Sequence, residues 1–135
     1  MSKRMANATA RLLLVHWHSV VLRGLAACLG QEPDFELVGL GSTCEQALVM
    51  AAELHPDLVL IGYSTPVMGG VEVTRRLIEA DPDILVVLIG VMAGPERTER
   101  ALESGAMGYV LLETPPQELV SLLRGFIRGK DTKRA

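Results

Sequence analysis

The sequence predicts an α/β fold, a parallel sheet covered by helices on both faces. Three observations carry that expectation. Strand-like apolar runs and helix-like periodicity alternate five times in about 120 residues. The runs Asp57–Ile61 (DLVLI) and Ile84–Ile89 (ILVVLI) are apolar on both faces, as central parallel strands are. Turn and capping residues separate the runs at the junctions.

Each element has its own reason. Arg11–His16 (RLLLVH) reads as a first strand, and Ser19–Leu29 as a helix with Val21, Leu25, Cys28 and Leu29 on one face. Glu32-Pro33-Asp34 marks a turn into a second strand, Phe35–Leu40. Ser42-Thr43-Cys44-Glu45 reads as a capping box opening a helix to about Leu54. After the third strand, Gly69–Ala80 is helical, and Ile84–Ile89 is the strongest strand signal. Pro95–Ser104 forms a helix closed by Gly105, and Met107–Leu111 a fifth strand. Thr114-Pro115-Pro116-Gln117 caps a last helix running to about Arg128, with proline at its first position.

Composition sets the class. The chain has 135 residues, 49% apolar and 21% charged, which suits one globular domain. Residues 1–10 read as a flexible leader, 11–128 as the domain and 129–135 as a tail. Thirteen basic and sixteen acidic residues leave a net charge of -3, against a general nucleic-acid binder. The basic residues concentrate at the end (RGFIRGKDTKRA), read as a solvated helix end and tail. Cys28 and Cys44 lack metal or redox spacing and read as small buried thiols in a reducing compartment. No run is long enough to span a membrane, and the leader lacks a secretory apolar core, so the expected location is cytoplasmic.

Ligands of open parallel sheets sit beyond the carboxyl ends of the strands. The residues there are His16-Trp17-His18, Gly62, Gly90 and Leu112-Glu113. The segments RLLLVHWHSVVLRGL, PDLVLIGYSTPVMGGVEVTRRL, DPDILVVLIG and ALESGAMGYVLLETPPQEL, in this order, resemble a response regulator receiver domain. The resemblance covers about residues 11–128. It is greatest to receivers of LuxR-type (NarL/FixJ-like) regulators. It implies the CheY-like flavodoxin-type (βα)5 fold, with strand order 2-1-3-4-5. Pro66, Gly70, Gly105 and Gly108 match the fold's markers, and Tyr109 falls where the family has its switch aromatic.

The same resemblance implies what is missing. Receivers carry an acidic pair after the first strand, an acceptor aspartate after the third, a hydroxyl after the fourth and a lysine after the fifth. Those positions fall on His16 and Trp17, Gly62, Gly90 and Leu112. Gly62 offers no nucleophile. Magnesium wants oxygen ligands, and these residues supply none. The expectation is a degenerate receiver, not an enzyme and needing no Mg²⁺, with the emptied site partly filled by Trp17 or a neighbour. It is expected to signal through protein contact.

Other readings stay open. His16 and His18 suit zinc, copper or nickel better than magnesium, but a third ligand is lacking unless Glu113 serves, and His55 lies at the far edge. Trp17 offers a wall for an apolar ligand. Tyr63, Ser64 and Thr65 are hydroxyls without a base and read as loop residues. Tyr109 is either part of a surface fixed in one state or an ordinary half-buried aromatic. The family's dimer face would here include Arg97, Arg100, Glu103, Glu113, Glu118, Arg124 and Arg128, whose mixed charges suit a homodimer or heterodimer. The chain itself offers no DNA-binding helix-turn-helix. It reads equally as the amino-terminal regulatory part of a transcription regulator.

Overall fold

The structure, a computed structural model, describes residues 9–64 and 68–134. Residues 1–8 of the expected leader, Thr65 and the marker Pro66 lie outside the described residues.

Strand and helix alternate throughout: β1 (Ala10–Val15), α1 (Ser19–Leu29), β2 (Phe35–Gly41), α2 (Cys44–Leu54), β3 (Leu58–Gly62), α3 (Gly70–Ala80), β4 (Leu85–Gly90), α4 (Pro95–Glu103), β5 (Gly108–Leu111) and α5 (Pro116–Arg134). The sheet is parallel, in the order β2-β1-β3-β4-β5. This is the expected doubly wound arrangement.

The period of two along each strand divides the core. Leu12, Leu14, Leu58, Leu60 and Val87 face α1 and α5, which cover them with Leu25, Leu29 and Leu123. Leu13, Val15, Val59, Ile61 and Leu88 face the opposite side, under α2, α3 and α4. Both faces of β3 and β4 are therefore consumed by packing, and their chemistry is confined to their ends. The register sets those ends side by side: Gly62 pairs with Ile89, and Gly90 with Leu111.

Two local readings are corrected. The cap of α2 is Thr43, whose Oγ1 accepts from the Gln46 N–H at 3.0 Å, while Gln46 Oε1 accepts from the Ser42 N–H at 2.7 Å. Ser42/Glu45 and Thr43/Gln46 both fit the box spacing, and the second places Glu45 in the positive first turn of the helix. The expected tail is also helical, since α5 continues to Arg134. Gly125 and Gly129 lie within α5, and a helical glycine costs only about 1 kcal/mol relative to alanine. A helix anchored by the buried Leu123 and Ile127 carries that cost.

The positive-φ position Gly105 (φ 105°) lets the chain leave α4 and enter β5, and a side chain there would run into Ile78. Neither cysteine is in a disulfide; Cys44 is buried and Cys28 only half-buried. Among the described residues no helix is long and apolar enough to cross a membrane.

Candidate functional site

The carboxyl ends of β1, β3, β4 and β5 meet at one edge of the sheet. His16 follows β1 and is buried, and its N–H donates to the Gly41 carbonyl at 3.0 Å. Its Nδ1 accepts from the His18 N–H at 3.0 Å, which leaves Nε2 to carry the proton of the neutral ring. Burial, helped by nearby His18, holds its pKa below the usual histidine value. The Trp17 indole stacks on this imidazole, centroids 4.1 Å apart and planes within 15°.

Trp17 then reaches over the end of β3. A Cβ placed on Gly62 would lie 2.7 Å from Trp17 Cζ3 and 3.1 Å from His16 Cδ2. No side chain fits there unless the indole moves. The expectation of a site partly filled by Trp17 thus has a definite geometry: the ring occupies the space a side chain at position 62 would need.

A second aromatic occupies the end of β4. A Cβ on Gly90 would collide with the Tyr109 hydroxyl and approach its Cε1 to 2.9 Å. Tyr109 is held inward, its hydroxyl donating to the Met92 carbonyl at 2.6 Å and its ring edge-on to Tyr63, with centroids 5.4 Å apart. Arg97 from α4 lies over the Tyr63 ring, its guanidinium carbon 4.6 Å from the centroid. Leu112 is half-buried and packs onto the core between the sheet and α1/α5, and its N–H donates to the Gly90 carbonyl at 2.7 Å. Between Trp17 and Leu112 a recess of about 200 Å³ remains.

Comparison with known proteins places this frame. A family model described as the response regulator receiver domain matches residues 12–124. The chain belongs to the response regulator receiver family. It is 32% identical over 120 residues to response regulator GacA of Pseudomonas aeruginosa, covering 89% of this chain and 56% of that protein. It is 27% identical to transcriptional regulatory protein DegU of Brevibacillus brevis, covering 96% of this chain and 55% of that one. The chain therefore spans just over half the length of these curated relatives. Among solved structures, a LuxR-family response regulator from Aurantimonas sp. SI85-9A1 superposes with a TM-score of 0.86 at 29% identity, over 90% of this chain and 87% of that one. The receiver domain of NarL from Mycobacterium tuberculosis gives the same TM-score at 24% identity, over 90% and 98%, a likeness of fold.

Receivers are implied to hold Mg²⁺ on oxygen ligands, and the residues of this receiver do not fit that ion. The site presents a buried imidazole, an indole, two glycines and a leucine. None offers the hard anionic oxygen that magnesium requires. Among the described residues no group of three or more His, Cys, Asp or Glu converges as a metal site. The histidine-based metal reading therefore finds no third ligand there.

The dimer face divides in two. Arg97 belongs to the aromatic cluster. Arg100 sits 3.9 Å from Glu96 on its own helix, and Glu103, Glu113 and Glu118 are exposed. Arg124 makes a contact within the chain. It turns to the α1–β2 turn, meeting Asp34 through Nε and Nη2 at 2.7 Å each and Glu32 through Nη2 at 2.7 Å. Its fork geometry suits bidentate carboxylate binding, so the cation is spent within the chain. Arg128 adds to the positive field on Asp34. A charge-reversal test of dimerisation on Arg124 would thus report folding instead.

The hydrogen bond from Arg124 holds the Asp34 carboxyl below its usual range. A carboxylate with a depressed pKa stabilises the fold above its unfolded value and loses that contribution as pH falls through the folded one. Arg124→Met is expected to cost about 1–2 kcal/mol at neutral pH, as expected of a half-exposed network. The cost should shrink on acidification below pH 4. Thermal melts of both proteins across that range check it, and a constant difference would refute the linkage.

Some contributors escaped the sequence reading. The Met92 carbonyl and Tyr63 hold Tyr109, and Arg97 packs over Tyr63. The one available signal was Val91-Met92, an apolar pair directly after β4, now 69% and 58% exposed.

Proposed function

We propose that this receiver is a pseudo-receiver, a signalling module that takes no phosphoryl group at the usual position and works through protein contact. One observation carries the reading: the acceptor position is Gly62, and the Trp17 ring covers it at 2.7 Å from where a Cβ would stand. Phosphoryl transfer needs an oxygen nucleophile and charge stabilisation around it. The chain presents neither at that place, and Leu112 replaces the cation that would accompany them. The reading includes no magnesium requirement and no catalysis by the domain itself.

The partner is a protein, either a second copy of this chain or another signalling protein. The face made by α4, β5 and α5, with Arg100, Glu103, Glu113 and Glu118 exposed, is the surface offered to it. Similarity to regulators such as GacA and DegU, over about half their length, supports a regulatory part of a DNA-binding transcription regulator acting in the cytoplasm. DNA contact belongs to another part of such a protein.

Incubation with acetyl phosphate and Mg²⁺, followed by intact mass measurement, tests the central claim. The expected spectrum is unchanged. A stable adduct of one phosphoryl group would overturn it.

A further inference from the structure

We propose that the recess at the emptied site binds a small aromatic carboxylate, with its ring against Trp17 and Leu112 and its acid group on Arg97. This rests on the reading that no phosphoryl chemistry occurs there.

Shape and lining come first. The recess measures about 200 Å³, and its apolar walls are Trp17, Val21, Ile89, Val91 and Leu112. His16, His18 and Ser64 also line it. An apolar cavity of about 150 Å³ accepts benzene, so one ring with a short acid arm fits this volume. Two of its apolar residues reach the surface, Trp17 40% and Val91 69% exposed. Apolar surface gathered in a concavity marks a place where something docks. Its location, beyond the carboxyl ends of parallel strands, is where open α/β sheets take ligands.

Charge then selects the ligand. No aspartate or glutamate lines the recess, whereas Arg97 does. Arg97 is half-buried and held over Tyr63, and its N–H contact is to the Met92 sulfur at 3.8 Å, a weak acceptor. Among the described residues it forms no ion pair with a carboxylate. A pre-oriented guanidinium at the edge of an apolar wall matches a planar carboxylate attached to a ring. The Ser64 hydroxyl, also in the lining, is a second donor for the acid group. An inorganic anion would meet Arg97 and Ser64 but leave the largely apolar, ring-sized space unfilled.

The protein carries its own reporter, since Trp17 is its single tryptophan and forms part of the wall. Phenylacetate titrated into the full chain should change Trp17 emission saturably and raise the melting temperature. The neutral phenylacetamide should bind about tenfold more weakly or worse, and so should phenylacetate to Arg97→Gln. Val21→Phe, which fills the recess from the opposite wall, should abolish the response, while Arg100→Gln should leave it intact. No saturable change up to about 10 mM phenylacetate would overturn the proposal. So would equal affinity for acid and amide, or undiminished binding to Arg97→Gln. The phosphorylation assay is read by mass, so failure here leaves the pseudo-receiver reading separately judged.

Discussion

Gly62→Asp, which restores a carboxylate at the end of β3, is expected to destabilise the domain by about 2–3 kcal/mol at neutral pH, the range for burying an uncompensated polar or charged group. The new Cβ would stand 2.7 Å from the indole, so Trp17 must swing away from His16 and lose its stacking at 4.1 Å. The new charge would meet apolar walls and no metal, which raises its pKa. For an acid whose folded pKa is raised, stability falls as pH rises through the unfolded value and keeps falling up to the folded one. The loss should therefore be largest at neutral pH and smaller in acid, where the new carboxyl is neutral. Chemical denaturation at two pH values, with Trp17 emission as a second readout, checks this. A variant as stable as the parent, with unshifted emission, would show that the indole does not occupy the site.

Gly90→Thr should expel Tyr109. The Cβ overlaps the tyrosine hydroxyl and sits 2.9 Å from Cε1, so the ring has to turn outward. Lost with it are the 2.6 Å hydrogen bond to Met92 and the edge-on contact with Tyr63. Such a bond is worth about 1 kcal/mol and an aromatic pair about 0.5–1.5, offset in part by threonine's preference for strands. A net loss of about 1–2 kcal/mol follows. Tyr109→Ala should abolish the sensitivity to residue 90, so the double mutant should be less than additive. Full additivity would mean that the two residues do not compete for the same space.

Much of the architecture was legible because it is periodic. Leu13, Val15, Val59 and Ile61 alternate with Leu12, Leu14, Leu58 and Leu60, and both sets are apolar, which is a doubly covered strand written in one dimension. The emptied site was legible for a related reason, since Gly62, Gly90 and Leu112 stand at fixed distances from those strands. Side-chain direction was not legible. Arg124 sits on a helix among other charges, and its carboxylates lie 90 and 92 positions away. No local pattern announces such a pairing. Nor does a lone glycine say which neighbour leans into its space: Trp17 over Gly62 follows from the turn after β1, and Tyr109 over Gly90 from the register of β4 with β5. The helix α5 runs past the expected Arg128 because anchoring by Leu123 and Ile127 outweighs the weak helix propensity of Gly125 and Gly129.

The Arg124 clamp also bears on how the polypeptide is made. Glu32 and Asp34 leave the ribosome early, as two like charges flanking a proline at the tight entrance to β2. Their counter-ion is synthesised some ninety residues later. The charge balance of the turn that starts the edge strand is therefore completed only by the docked final helix, which fastens the two ends of the domain to each other.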